Sequence, residues 1–135
     1  MTRLSRIGVA LAFAALLAGC GGSQPTPAGT PAVTLTLVAQ NLAFDQTKLT
    51  VPANLTFAIT LDNRDAAPHN VNITGGATRE TEPFGGPASK TYVYAALPEG
   101  SYTFLCSVHP DMKGTLLSTT TMRRRVRNTK QPNSM

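Results

Sequence analysis

A chain of 135 residues has room for one domain and a modest core. Its two histidines are too few for a three-histidine catalytic zinc site or for an enzyme built on several metal centres. The formal charge of +5 is also misleading. Residues 1–19 hold two arginines and no acids, residues 33–118 hold five basic residues against seven acidic ones, a net −2, and residues 119–135 hold five basic residues and no acids. The expected folded part is mildly acidic. The basic run MRRRVR lies in a tail of Thr, Asn and Pro with no interleaved aromatics, which argues against nucleic-acid binding.

At the N-terminus, Arg3 and Arg6 precede an apolar run over residues 7–17, and the segment closes on Leu17-Ala18-Gly19-Cys20. This describes a secretory signal over residues 1–19, since the run is too short to span a bilayer. The ending resembles a bacterial lipobox, which implies that Cys20 is acylated and becomes the mature N-terminus. The chain is then exported and held at the periplasmic or extracellular face of a membrane. Residues 20–32 (CGGSQPTPAGTPA) contain no large apolar side chain after Cys20 and read as a flexible tether. With Cys20 carrying lipid, Cys106 has no disulfide partner. A lone thiol outside the cell survives when it is buried or holds a metal.

From Val33 the composition turns to short runs rich in Val, Thr, Leu, Phe and Tyr, broken by Asn, Asp, Pro and Gly. VTLTLVAQ, KLTV, LTFAITLDN, HNVNIT, SKTYVYA, SYTFLCS and GTLLST each read as strands. No window has a helical period. Seven or eight strands across residues 33–118 predict an all-β domain, an antiparallel β-sandwich. Period-two alternation places Cys106 on the side of Tyr102 and Phe104, and His69 on the side of Val71 and Ile73. Both therefore face inward, although 37 positions separate them. In TYVYA either face could be the buried one. The basic tail, residues 119–135, reads as a solvated, disordered end.

The segment CSVHPDMKG, residues 106–114, spaces a thiol, an imidazole and a thioether at three-residue intervals. With His69 these make a set of two histidines, one cysteine and one methionine: His69, Cys106, His109 and Met112. Taken singly, an inward Cys or Met is ordinary core filler. Taken together, two imidazoles and a thiolate with a weak thioether describe a type 1 blue-copper electron-transfer site, with one copper cycling between Cu(I) and Cu(II). The thiolate supplies a covalent donor and the imidazoles suit both oxidation states, while a thioether favours Cu(I). One domain cysteine excludes a dinuclear centre that needs two.

GSYTFLCSVHPDM resembles the metal loop of the cupredoxins, with Gly-x-Tyr-x-Phe-x-Cys leading into Cys-x₂-His-x₂-Met. PHNV, residues 68–71, is similar to the first-ligand segment of plastocyanin, and the short Cys106-to-Met112 spacing is similar to amicyanin. The resemblance spans residues 33–118. It implies a Greek-key sandwich of eight strands, the ligand set above, and a tie between Asn70 and Ser107 that joins the two ligand loops. It further implies a monomeric, non-enzymatic carrier that exchanges electrons with redox protein partners such as a c-type cytochrome or an oxidase. The resemblance implies too that His109 is the electron port, with Val108, Pro110 and Phe44 or Phe84 as an apolar surround suited to brief docking. The alternative left open is an exported lipoprotein for copper storage or delivery.

Overall fold

The computed structural model describes residues 29–75 and 80–129. The signal segment and Cys20 lie outside them, as does most of the tether. Eight strands follow one another: β1 (Thr34–Gln40), β2 (Ala43–Phe44), β3 (Lys48–Pro52), β4 (Phe57–Asn63), β5 (Asn72–Thr74), β6 (Ala88–Tyr94), β7 (Gly100–Leu105) and β8 (Lys113–Thr119). They form two four-stranded sheets, ordered β2-β1-β4-β6 and β3-β8-β7-β5. The expected all-β sandwich is therefore present. Its sheets are mixed, because β1 pairs with β4, and β3 with β8, in parallel. Alternation along a strand specifies which face is buried and not which neighbour it pairs with, so this could not be read in advance.

Leu37, Ala39, Phe57, Ile59 and Leu61 of one sheet meet Leu49, Val51, Ile73, Phe104 and Leu116 of the other in one buried cluster. Tyr92 and Tyr94 turn inward and Val93 does not, which settles the ambiguous strand. Tyr94 stacks on Phe57, with centroids 5.2 Å apart, and its hydroxyl donates to Val71 O at 2.7 Å, so the ring fills the core without stranding a polar atom. Gly114 faces Phe104 across β7 and β8, and a Cβ there would fall on the Phe104 ring and 2.5 Å from Thr47 O. Only glycine leaves room for the Phe104 ring at this position.

Two elements depart from expectation. The first is β2, which closes a hairpin on β1 through the two-residue turn Asn41–Leu42, with φ of 56° and 58°. Two positive φ values match the twist of a tight hairpin, but they call for Asn or Gly, and a leucine there gives no turn signal. The second is the tail. Over its described residues, in place of the expected disorder, the chain forms α1 (Thr120–Thr129), which packs against β3 and β8. Met122 and Val126, one turn apart and half-buried, give it an inner side. Only two apolar residues mark that side, too few to stand out among the arginines. Among the described residues no helix is long and apolar enough to cross a membrane.

Glu99 anchors the start of α1, accepting from Thr120 Oγ1 at 2.7 Å and Thr120 N at 3.3 Å. These bonds favour the carboxylate and hold its pKa below the ordinary value of 4.5. A folded-state pKa that is depressed adds stability above the ordinary value, and this is lost as pH falls through the lowered one. The thermal midpoint of Glu99→Gln should therefore lie below that of the wild type at neutral pH. The two should converge in acid, and a gap independent of pH would refute the assignment.

Candidate metal centre

The two ends of the cluster are fixed by different parts of the sandwich. Cys106 follows directly on β7, whose inward Phe104 sets the alternation that points the thiol into the core, and Cys106 is fully buried. His69 precedes β5 and is held by a two-way backbone bridge with Phe84, His69 N to Phe84 O at 3.1 Å and Phe84 N to His69 O at 3.0 Å. It too is fully buried. His109 sits on the loop between β7 and β8 and is half-buried. That loop is closed by Cys106 N to Met112 O and Met112 N to His109 O, both 2.9 Å. Met112 is buried in the same cluster as Cys106.

The ligand atoms of His69, Cys106 and His109 lie within 4.8 Å of one another. His69 Nδ1 is 3.8 Å from Cys106 Sγ, and His109 Nδ1 is 3.9 Å from it. The imidazole rings are 4.8 Å apart and tilted by 59°. Both histidines therefore present the same nitrogen to one buried sulfur. Two imidazole nitrogens and a thiol converging in a dry setting, with a buried thioether on the same short loop, form the donor set that suits copper. Of the four residues expected from the sequence as a constellation, the fold brings the ligand atoms of His69, Cys106 and His109 together and buries Met112 on the same loop.

Asn70 joins the two halves. Its Oδ1 accepts from Ser107 N at 2.8 Å, and its Nδ2 donates to Ser107 Oγ at 2.8 Å and to Thr81 O at 2.7 Å. The tie expected between Asn70 and Ser107 is thus present. Thr81 is a third member that the sequence did not reveal. Its hydroxyl donates to Val71 O at 3.1 Å.

Asp65 was also missed. Its Oδ2 is 2.9 Å from His69 Nε2 and accepts Leu42 N at 3.0 Å, while Oδ1 accepts Asn41 N at 2.8 Å. The bond from Leu42, then those from His69 and Asn41, hold its carboxyl below the usual carboxylate range. An acid four residues before a histidine in a loop carries no periodic meaning, so only the folded contacts identify it. Around the site, Val108 is 43% exposed and Phe44 and Phe84 are half-buried, while Leu42, not anticipated, is 55% exposed beside Asp65.

Comparison with known proteins agrees with this geometry. The profile of the cupredoxin-like domain matches residues 9–117. Amicyanin-alpha of Methylorubrum extorquens is 31% identical over 115 residues, which cover 78% of this chain and 94% of that protein. Auracyanin B superposes with a TM-score of 0.61 at 23% identity, over 71% of this chain and 95% of that one. Auracyanin A, a blue copper protein of the green thermophilic photosynthetic bacterium Chloroflexus aurantiacus, does so with a TM-score of 0.56 at 23% identity, over 64% and 98%. Sandwich, donor set and sequence likeness converge, and the chain belongs to the cupredoxin-like family.

Proposed function

We propose that the protein is a single-electron carrier whose one copper is held by His69, Cys106, His109 and Met112. The observation that carries this reading is the convergence of two imidazole Nδ1 atoms on the buried Cys106 Sγ, at 3.8 and 3.9 Å. Copper bound there supplies a one-electron Cu(II)/Cu(I) couple. The chain does the rest. Cys106 gives up its thiol proton and offers sulfur as the strong donor. His69 is kept in place by the Phe84 bridge and by the Asp65 carboxylate. The Asn70–Ser107 tie holds the Cys106 loop against the His69 segment. A frame fixed in this way changes little between the two charge states, so little reorganisation opposes electron exchange.

The half-buried His109, flanked by exposed Val108, offers the shortest way from the donor cluster to the surface. A weakly polar rim of this kind suits brief docking with a redox protein, such as a c-type cytochrome or an oxidase. We assign the chain to the outer face of a membrane, anchored through Cys20 and the tether, because the signal segment and the cysteine agree. Copper delivery is the weaker reading, since fully buried Cys106 and His69 give a receiving ligand no direct approach.

Titration of the protein with Cu(II), followed by absorption, tests the assignment. An intense blue thiolate-to-copper band saturating at one equivalent is expected. A pale solution with weak bands would refute it and favour delivery or a purely structural sandwich.

A further inference from the structure

We propose that Asp65 is the positioning residue of this centre: its carboxylate locks the orientation and tautomer of His69 from behind the ring, and its charge lowers the reduction potential of the bound metal. The inference rests on the copper reading above and goes beyond it by naming what tunes the site.

A carboxylate ion can only accept hydrogen bonds. With Asp65 Oδ2 at 2.9 Å, His69 Nε2 must carry the ring proton, which leaves the Nδ1 lone pair turned toward Cys106 Sγ. An acid behind a ligating imidazole in this way fixes the ring and strengthens its basicity. His69 is fully buried with the carboxylate in place.

The carboxylate is itself immobilised. Asn41 N and Leu42 N end on its two oxygens, its own N donates to Asn63 Oδ1 at 2.9 Å, and its carbonyl accepts from Gly86 N at 2.8 Å. The Asn41–Leu42 turn puts a leucine at φ 58°, a region that leucine disfavours, and in that conformation both turn amides point at Asp65. The same Oδ2 accepts from Leu42 N and faces His69 Nε2. The exposed turn is thus two hydrogen bonds from the ligand ring. These contacts offset the cost of an unfavourable residue in the hairpin turn.

A negative charge fixed on one side of the imidazole favours the more highly charged oxidation state on the other. Asp65→Asn removes that charge at nearly constant volume. In the full copper-loaded chain we expect the blue band to persist and the Cu(I)/Cu(II) equilibrium to move about tenfold toward Cu(I), which for one electron is a rise of about 59 mV. Asp65→Glu, which keeps the charge, should recover most of the shift. An equilibrium shifted less than about twofold, with only a lowered thermal midpoint, would overturn the proposal and leave Asp65 as a turn anchor.

Nitrogen-15 NMR of the metal-free wild-type chain reads the contact independently, and decides the matter if Asp65→Asn fails to fold or to hold copper. His69 should show one protonated Nε2 whose hydrogen exchanges slowly with solvent; rapid exchange, or protonation at Nδ1, would overturn the proposal. A wild-type chain that gives no blue band refutes the copper reading, whereas the NMR result still stands or falls by itself.

Discussion

Replacing Cys106 by alanine should abolish the intense blue absorption of the copper-loaded protein and weaken Cu(II) binding by more than the roughly 10–100-fold that loss of an outer partner costs. The reason lies in the donor set. The Cys106 thiolate sulfur is the one donor in the set that can give a charge-transfer band of that intensity, and it is the atom both imidazoles face. The fold should survive, because a small buried side chain is exchanged for a slightly smaller one in a cluster of sixteen buried residues. Loss of stability on the order of 1 kcal/mol is expected. Far-ultraviolet circular dichroism and chelator competition, measured on the same sample, separate the two effects. A band that survives the substitution would move the metal away from Cys106.

Asn70→Ala should weaken copper binding about 10–100-fold and destabilise the metal-free protein by about 1–3 kcal/mol. Asn70 is 1% exposed, and its amide satisfies Ser107 N, Ser107 Oγ and Thr81 O at once. Alanine leaves the Thr81 carbonyl without this donor and frees the Cys106 loop from the His69 segment. Binding suffers because the two imidazoles reach the thiol from different loops, so play between the loops becomes play in the donor distances. Denaturant titration with and without copper provides the check, and the copper-loaded difference should be the larger. Equal losses in both states would show that Asn70 supports the sandwich and not the site.

Asp65 and Asn70 act on the His69 segment in different ways. Asn70 positions the ring relative to the thiol loop, and Asp65 fixes its tautomer and its electrostatic surroundings. Substitution of one should be felt in affinity and of the other in potential.

Most of the donor set was legible in the sequence for a specific reason. Cys106, His109 and Met112 fall within seven residues, so their proximity follows from chain length alone. The inward direction of Cys106 and His69 followed from alternation with Phe104 and with Val71 and Ile73, and all of these side chains are buried. That local periodicity is an intrinsic property of strands.

What the sequence determined by itself, then, is the strand content, the buried faces and a short loop carrying three donors. Tertiary structure alone decided the parallel pairing of β1 with β4 and of β3 with β8, the helix at residues 120–129 and the hairpin turn at Asn41–Leu42. It also decided the roles of Thr81 and Asp65, each of which acts through hydrogen bonds to distant loops. Alternation and composition report on nearest neighbours along the chain. A carboxylate that joins residues 41, 42 and 69 leaves no such trace, because its partners meet only when the parallel pairing of β1 with β4 sets the ends of these two strands side by side.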